Sequence, residues 1–374
     1  MRILFVQHMN GISGSELYLL QLLPALTEKG VEVEMMIVFK EDTGKNTSFV
    51  EQLSSKGIVT HQIYGHKPYS LKLLFNIKRI VSRGGFDLVQ SNLIHADFWL
   101  SIIKFFSIRK MKLISVKHGF DENYSAKYGF NTKKLNRSLF VWVQRLSGMN
   151  TNWNVTISKG IYDMYVKGKI SKASKTEIVY YGLNLDHIQN SGFNKTDSNR
   201  YAIILGRLVK YKGHEFVIKA WKKVKEYNPS LKLYIVGGGA YQENLVQLTA
   251  ELGLQEQIVF CGYQPNPHQL LHFAEFSLVS SIFEGFGLIT LESWYHKKPV
   301  IAFNVPALNE AIDNEKNGLL VTPFDTDELA TKIIHLFSNQ PAAVQMGQHG
   351  YDKLIKEFSL ERMTNQMIGI YNRI

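Results

Sequence analysis

Two glutamates, Glu284 and Glu292, stand eight positions apart in the segment SSIFEGFGLITLESW, which covers residues 280–294. The Gly-Phe-Gly step between them allows a close approach of the backbone to a ligand. A helix that begins near Gly287 offers free N–H groups to an anion. Glu292 follows Leu288 by one turn, so it shares a flank with apolar side chains, and ligand hydroxyls would satisfy it. The alternative is that both glutamates merely stabilise the helix through its dipole, but this explains neither the two glycines nor the apolar neighbours of Glu292.

A second group of charged residues lies in the segment LGRLVKYKGHEF. Arg207 follows a predicted strand, and Lys212 comes five residues later, just before the glycine at which a helix is expected to begin. A guanidinium and an ammonium held in one loop suit a diphosphate, because each can bind one phosphate. A solvated basic loop explains these two residues equally well, so the segment alone leaves both interpretations open.

Two weaker signals lie in the first half of the chain. Gly11 and Gly14 follow the first predicted strand in MNGISGSE, and the loop resembles a phosphate-binding turn without matching G-x-G-x-x-G. His118 follows another predicted strand in SVKHGF, where an active-site loop would lie. A single histidine is more often structural or simply exposed, so neither signal identifies a site by itself.

Searches for other catalytic and metal-binding patterns find nothing in the sequence. Asp325-x-Asp327 sits where a helix should begin, so helix capping explains it better than metal binding. The histidines form no H-x-x-x-H pair, and one cysteine cannot build a zinc site. The sequence contains no G-x-S-x-G and no Walker A motif. We therefore expect neither a metal nor a cofactor.

Net charge separates the two halves of the 374-residue chain. Residues 1–197 hold 26 Lys+Arg and 15 Asp+Glu, a net +11, whereas residues 198–374 hold 17 of each and are neutral. Residues 71–83 and 101–112 mix apolar and cationic side chains at helical spacing. Both segments suit an anionic membrane surface. Helices packed on a sheet with a solvated cationic rim remain the alternative.

The cysteine count and the hydropathy of the sequence indicate the cellular compartment in which the protein is expected. The single cysteine, Cys261, excludes an internal disulfide and is typical of a reducing compartment. No stretch reaches the roughly 18 apolar residues of a spanning helix. The first apolar run ends at Gln7-His8 and predicts a strand rather than a signal peptide. We expect a cytoplasmic protein, with a peripheral position at the inner face of the membrane as a further expectation.

Strand-like segments alternate with helical ones almost to the end of the chain, which predicts an α/β protein with mainly parallel sheets. The polar segment at 191–200 reads as a linker between two doubly wound halves. Domains are predicted at 1–190 and 198–355, and a last helix at 356–374. Ligands of such sheets bind beyond the carboxyl ends of the strands, so we expect a site in the cleft between the halves.

Taken together, these motifs resemble the retaining glycosyltransferases of family 4, over nearly the whole chain and most strongly at 200–325. GRLVKYKG is similar to the family's G-R-L-x-x-x-K-G, and Glu284 and Glu292 meet its E-x7-E hallmark. KPVIAF and NGLLVTPFD follow its usual continuation. The resemblance implies the GT-B fold, in which two Rossmann-like domains face a cleft and a C-terminal helix packs back on the first.

The resemblance also implies roles for individual residues. Arg207 and Lys212 match the pair that holds the donor diphosphate, assisted by the amides near Gly287 and Leu288. Glu292 matches the glutamate on the donor ribose. Three further matches are Glu284 beside the transferred sugar, His118 near its reacting end, and Gly14 in the N-terminal loop. Ser13 replaces the first glycine that this loop usually has.

The implied activity is transfer of a sugar from a nucleotide-sugar, a co-substrate, to a hydroxyl of a glycan or lipid-linked acceptor. Synthesis of a cell-surface polysaccharide or glycolipid is the expected setting. A nucleotide-sugar 2-epimerase would change the donor alone, and a non-catalytic binder could dispense with Glu284 or His118. Nucleic-acid binding is not expected, since no aromatic-basic platform motif occurs. A NAD-dependent oxidoreductase would need the dinucleotide fingerprint, which is missing.

Overall fold

A computed structural model describes residues 1–9, 11, 14–40, 47–65, 70–107, 111–120, 124, 125, 127, 129–137, 139–185 and 199–374. The chain divides into two compact units. Unit 1 contains Met1–Asp121, Phe130–Gly182 and Leu360–Ile374, and unit 2 contains Glu122–Gly129 and Leu183–Ser359. Of the predicted linker at 191–200, only residues 199 and 200 are described. The predicted domain boundaries at 190 and 198 also lie outside the described residues.

Unit 1 is built on a parallel sheet with the strand order β3-β2-β1-β4-β5-β6-β7. The strands are β1 (Arg2–Met9), β2 (Glu32–Phe39), β3 (Val59–Tyr64), β4 (Leu88–Asn92), β5 (Leu113–Lys117), β6 (Trp153–Thr156) and β7 (Thr176–Ile178). The helices are α1 (Gly14–Glu28), α2 (Thr47–Ser55), α3 (Leu71–Arg83), α4 (Leu93–Phe105), α5 (Leu139–Met149) and α6 (Lys159–Lys167), and the chain's last helix joins them.

The apolar core of unit 1 explains why these segments form these elements. Strand β1 buries four consecutive apolar side chains, as expected of a strand covered on both faces. Helices α3 and α4 pack their apolar stripes against one face of the sheet, where Trp99 and Ile77 are fully buried. The strand order reverses between β1 and β4, and the carboxyl ends of those strands are the expected ligand position.

Unit 2 repeats this plan with the parallel order β10-β9-β8-β11-β12-β13. Its strands are β8 (Tyr201–Leu205), β9 (Lys232–Val236), β10 (Ile258–Gly262), β11 (Ser277–Val279), β12 (Val300–Phe303) and β13 (Gly318–Val321). Its helices are α7 (His214–Tyr227), α8 (Gln242–Glu251), α9 (His268–Phe273), α10 (Leu288–Tyr295), α11 (Leu308–Ala311), α12 (Thr326–Ser338) and α13 (Gln340–Glu357). Here the order reverses between β8 and β11.

Helix α14 (Leu360–Arg373) follows α13 directly and belongs to unit 1. Its buried residues fall on one face at helical spacing, and they pack with α1. The side chain of Arg373 donates to Glu177 at 2.6 Å, and the amide of Gly182 approaches the sulfur of Met363 at 3.2 Å. The last element of the chain is therefore an integral part of the first unit.

The structure confirms the predicted fold class, since both units are parallel sheets with flanking helices. The interpretation of Asp325 as a cap is also confirmed, because its carboxylate accepts from the amides of Asp327 and Glu328 at 3.0 and 2.8 Å. Among the described helices, none combines the length and the apolarity that a bilayer-spanning segment needs.

Candidate active site

The loop after β8 carries Arg207 and Lys212, at the switch point of the unit 2 sheet. Arg207 is exposed, and its guanidinium donates to the hydroxyl of Tyr211 at 2.5 Å. Gly213 ends the loop with a left-handed φ of 69°, and a Cβ there would lie 2.1 Å from the carbonyl oxygen of Ser280. Glycine is needed here because the two loops of the site touch through their backbones.

Lys212 and Glu284 form an ion pair across those two loops. The ammonium of Lys212 donates to Oε1 of Glu284, and the same oxygen accepts from the hydroxyl of Ser281 at 2.7 Å. The hydroxyl of Ser280 donates to the backbone oxygen of Lys212 at 3.0 Å. Glu284 is buried, whereas the Lys212 side chain keeps partial access to solvent. The two residues predicted to contact the diphosphate and the sugar thus lie together.

Helix α10 begins directly after Gly287, which adopts a left-handed conformation with φ 88° and ψ 60°. No side chain caps the first-turn amides of Leu288 and its neighbours in the described structure. The hydroxyl of Thr290, in the same turn, is buried and has no hydrogen-bond partner within the described residues. Uncapped N–H groups and the positive end of the helix dipole suit an anionic ligand.

Glu292 lies on the second turn of α10 and is partly buried. Burial raises the pKa of its carboxyl group from 4.5 to about 7. Its side chain makes no hydrogen bond to any part of the chain that the structure describes. A carboxyl group in this state can accept from ligand hydroxyls when ionised and donate to them when neutral.

His118 follows β5 in unit 1 and has a partner at each ring nitrogen. Nδ1 lies 2.5 Å from the hydroxyl of Tyr181, and Nε2 lies 3.2 Å from Oδ1 of Asn92. The ring of Tyr18 meets the imidazole edge-on, with 4.9 Å between centroids. Burial first, and then the charge of Lys117, lower the pKa of His118 to about 3, so the imidazole is neutral at physiological pH.

Gly14 opens helix α1 after the loop that follows β1. The position at which Ser13 departs from the family pattern lies outside the described residues, as do Asn10 and Ile12. Of the predicted residues, unit 2 brings Lys212 and Glu284 into contact and places Gly287, Leu288 and Glu292 on one short stretch. His118 and Gly14 belong to unit 1.

Three or more metal-ligating side chains do not come together anywhere in the described part of the chain. Independence of a metal ion stays a prediction.

Two family models match the chain along almost its full length. The model described as "Glycosyltransferase Family 4" matches residues 12–187, and the model described as "Glycosyl transferases group 1" matches residues 187–353. The chain belongs to glycosyltransferase family 4. Unit 1 therefore corresponds mainly to the first model and unit 2 to the second.

Individual relatives are distant. An uncharacterised glycosyltransferase of Methanocaldococcus jannaschii is 24% identical over 58% of this chain and 59% of its own length. A poly(ribitol-phosphate) alpha-N-acetylglucosaminyltransferase of Staphylococcus aureus is 24% identical over 45% of this chain and 34% of its own length. The chain thus spans about three fifths and one third of these two relatives. A structure of Anabaena HepE with UDP and glucose superposes with a TM-score of 0.83 at 19% identity, covering both chains completely, which shows a shared fold.

The family's sequence motifs do not include a group of buried, hydrogen-bonded polar residues in unit 1. Glu16 is buried, and its carboxylate accepts from the amide of Gln7 and, at 3.0 Å, from the hydroxyl of Ser15. Lys117 and Asp97 form a buried ion pair at 2.5 Å. A signal was available, because Gln7, Asn92 and Lys117 are polar residues at or near the carboxyl ends of buried strands.

Proposed function

We propose that this protein is a retaining glycosyltransferase that moves a sugar from a nucleoside diphosphate donor to a hydroxyl group of an acceptor. The observation that carries the proposal is the contrast between the two glutamates on either side of Gly287. Glu284 is held by Lys212 and Ser281, whereas Glu292 has a partly buried carboxyl group without a partner in the described structure. Leaving such a group without a partner costs free energy, which ligand hydroxyls would recover.

The donor would lie along the loops after β8 and β11. Arg207 and Lys212 would supply two cations for the diphosphate, and the uncapped amides at Leu288 would donate to the same anion. Glu292 would bind the ribose hydroxyls, and Glu284 the transferred sugar. The ion pair with Lys212 fixes Glu284 in place while two further N–H groups of the ammonium stay available for phosphate oxygens.

The reaction breaks the bond between the anomeric carbon and the phosphate oxygen. Negative charge then develops on the departing diphosphate, where Arg207, Lys212 and the helix amides stabilise it. The acceptor hydroxyl attacks from the face that the diphosphate leaves, so the configuration at the anomeric carbon is kept. The acceptor's proton passes to the departing phosphate oxygen. His118 would contact the sugar near its reacting end as a neutral imidazole.

The chemistry of related proteins suggests which donors and acceptors to test first. HepE binds UDP and glucose, and the Staphylococcus aureus relative acts on poly(ribitol-phosphate). We therefore include UDP-sugars among the donors, and polyol-phosphate and lipid-linked glycans among the acceptors. Synthesis of a cell-surface glycan is the setting proposed for this chain.

The first experiment measures thermal unfolding of the full chain with UDP, GDP, ADP and CMP. A ligand at a hundredfold excess over its dissociation constant stabilises a protein by about 2.7 kcal/mol. Selective stabilisation by one nucleotide, lost in Arg207→Ala, supports the donor site. Lys210→Ala is the matched control, because Lys210 is an exposed cation in the same loop. No stabilisation by any of them would contradict the donor site.

A second experiment follows the matching sugar donor with and without acceptor alcohols. Transfer with retention, read from the anomeric coupling constant of the product, supports the proposal. Conversion of the donor to its epimer without an acceptor would replace the transferase by an epimerase. Binding without turnover of any kind would leave a non-catalytic binding protein.

We also propose that unit 1 docks on an anionic membrane surface through helix α3. The solvent-facing side of this helix carries Leu71 and Phe75, which are 83% and 65% exposed, one turn apart. Four basic residues and no acidic one lie in the same helix: Lys72, Lys78, Arg79 and Arg83. Apolar side chains flanked by cations are typical of helices that lie in the plane of the lipid interface.

The second predicted segment, 101–112, supports the same surface only in part. Phe105 and Phe106 at the end of α4 are largely exposed and pack edge-to-face, with 5.1 Å between centroids. Residues 108–110 lie outside the described residues. We therefore assign the main contact to α3.

Flotation with vesicles of phosphatidylcholine alone or with phosphatidylglycerol tests this surface at low and high salt. Binding should require the anionic lipid and weaken with salt. The double variant Lys78→Glu/Arg79→Glu should abolish it, whereas Lys219→Glu/Lys222→Glu on α7, with the same charge change on exposed residues, should not. Equal binding by the two double variants, or no binding of the wild type at low salt, would overturn the assignment.

A further inference from the structure

The last helix of the chain reaches the candidate catalytic histidine through a continuous series of hydrogen bonds inside unit 1. It begins at Tyr371 on α14, which is only 3% exposed. The hydroxyl of Tyr371 donates to Oε1 of Gln90 on β4 at 2.6 Å. Burial raises the pKa of Tyr371 well above 10, so this hydroxyl keeps its proton and acts as a donor. The amide oxygen of Gln90 is thereby turned toward α14.

That orientation determines the next two links. With Oε1 facing Tyr371, Nε2 of Gln90 donates to Oδ1 of Asn92 at 3.3 Å. The same Oδ1 lies 3.2 Å from Nε2 of His118. An amide oxygen can only accept, so Nε2 of the neutral imidazole must carry the proton. Nδ1 is then the acceptor in its 2.5 Å contact with the hydroxyl of Tyr181, which can donate to it.

Within the described residues, all the hydrogen bonds of the Asn92 side chain are made by its oxygen. Asn92 is fully buried, and its Nδ2 has no partner within the described residues. No hydrogen bond from Nδ2 to a described residue therefore opposes a rotation of the amide by half a turn. After such a rotation Nδ2 would donate to His118, and the imidazole proton would move to Nδ1. Gln90 prevents this by presenting a donor to Asn92, and it does so because Tyr371 occupies its oxygen.

We propose that Tyr371 is a positioning residue that acts through Gln90 and Asn92 to hold His118 as its Nε2-protonated tautomer. The catalytic importance of the tautomer rests on the proposed function, whereas the assignment of the tautomer rests on the hydrogen bonds alone. A ligand hydroxyl that competes for Nε2 meets an N–H donor in this tautomer and a lone pair in the other. The last helix thus contributes to the hydrogen-bonding character of the site without contacting a ligand.

Two-bond ¹H–¹⁵N correlation spectra of the full chain with labelled histidine test the proposal. His118→Gln assigns the signal, since the chain has 12 histidines. In the wild type we expect the Nε2–H pattern at His118. In Tyr371→Phe we expect a mixture of tautomers or the Nδ1–H form. Gln90→Met, which cuts the series at its second link while keeping Tyr371, should give the same change.

Tyr201→Phe is the matched control in unit 2. Tyr201 is also 3% exposed, and its hydroxyl donates to the backbone oxygen of Leu270 at 2.7 Å. Both tyrosine variants lose one buried hydrogen bond and should lose similar stability. Only Tyr371→Phe should alter the His118 spectrum. An unchanged tautomer in Tyr371→Phe and Gln90→Met would overturn the proposal.

Kinetics separate this inference from the proposed function. Where transfer is measured, Tyr371→Phe should lower kcat roughly tenfold, the effect of one hydrogen bond, and leave KM for the donor unchanged. Equal losses of kcat in Tyr371→Phe and Tyr201→Phe would reduce Tyr371 to a structural residue. If the wild type transfers no sugar, the spectra still decide whether Tyr371 sets the tautomer.

Discussion

The candidate residues of the two units differ in how far their hydrogen-bonding capacity is already used. In unit 1, both ring nitrogens of His118 have protein partners, and Lys117 is paired with Asp97. In unit 2, Glu292 has no side-chain partner in the described structure, and Arg207 is exposed to solvent. The unit 2 residues follow β8 and β11, between which the strand order of their sheet reverses, whereas Lys117 and His118 lie at the carboxyl end of β5, beside β4.

The extent to which a polar residue is already hydrogen-bonded within the protein distinguishes ligand-binding residues from positioning residues. A group that must bind a ligand keeps donors or acceptors available, whereas a group that positions its neighbours uses them within the protein. The pair formed by Lys212 and Glu284 lies between these cases, because it is internally paired but keeps part of the ammonium accessible. We therefore expect variants in unit 1 to change stability most, and variants in unit 2 to change ligand binding and turnover.

The largest expected effect concerns the ion pair of unit 1. Asp97 and Lys117 are 1% and 2% exposed, and Asp97 also accepts from the hydroxyls of Ser91 and Ser115. Asp97→Ala leaves a buried ammonium without its partner, which should lower the free energy of unfolding by about 3–5 kcal/mol. Urea denaturation measures this loss.

The double variant Asp97→Leu/Lys117→Met is its control. It removes both charges and keeps apolar volume, so it should recover most of the stability that Asp97→Ala loses. A double variant no more stable than Asp97→Ala would show that the charge pair is not the cause. A loss under 1 kcal/mol in Asp97→Ala would contradict the idea that unit 1 uses its polar groups for positioning.

Arg207→Ala should show the opposite profile in unit 2. The exposed guanidinium contributes little to stability, so the free energy of unfolding should change by less than about 0.5 kcal/mol. Loss of one cation on the departing diphosphate should raise the barrier of transfer by about 2–4 kcal/mol, comparable to one oxyanion donor. Steady-state kinetics with Lys210→Ala as control measure this effect, and unchanged turnover would remove Arg207 from the site.

The raised pKa of the Glu292 carboxyl group should make the free energy of unfolding depend on pH. Burial raises the pKa of its carboxyl from 4.5 to about 7, so between these values the folded protein binds a proton that the unfolded chain has released. The stabilisation from this group is complete below pH 4.5 and is lost as the pH rises through 7. Glu292→Gln should remove the dependence, which we expect to amount to about 1–3 kcal/mol.

Urea denaturation of the wild type and Glu292→Gln from about pH 4 to 8 covers the range between the two pKa values, and the difference between the two curves measures the dependence. His118 acts in the other direction, because its lowered pKa removes stability as the pH falls from 6.5 toward 3. Subtraction of the two curves isolates Glu292. Glu243→Gln, on an exposed carboxylate of α8, should leave the curve unchanged. Parallel curves for wild type and Glu292→Gln would contradict a proton-holding carboxyl in unit 2.

Most of the fold follows from the sequence because buried parallel strands are continuous apolar runs. Strand β3 has no such run, because Ile63 is its only buried residue and Val59 is largely exposed. It is an edge strand, held by its pairing with β2 rather than by an apolar pattern of its own. The apolar and β-branched segment TEIVYYG at 176–182 indicates a longer strand than the structure has, since only Thr176–Ile178 pair in the sheet.

The candidate residues of unit 2 were all named from the sequence, because they lie close together along the chain in two short motifs. The partners of His118 could not be named in the same way. Asn92, Tyr181 and Tyr371 come from three distant segments, and only the fold brings them to one histidine or to one series of hydrogen bonds. Spacing finds residues that act from one loop, whereas a positioning network assembled across a sheet has no such pattern.

The smallest expected effect compares two glycines. Gly287 has a left-handed φ of 88°, and a Cβ there would lie 2.7 Å from Cδ2 of Leu308, the movable end of a side chain. Gly287→Ala should therefore cost about 1–2 kcal/mol, mainly from the backbone conformation. Gly369 lies exposed in α14 with nothing within 4 Å, so Gly369→Ala should stabilise by up to about 1 kcal/mol. Urea denaturation gives the sign of the change in the free energy of unfolding for each variant. If both variants change it in the same direction, the start of α10 is less constrained than its geometry indicates.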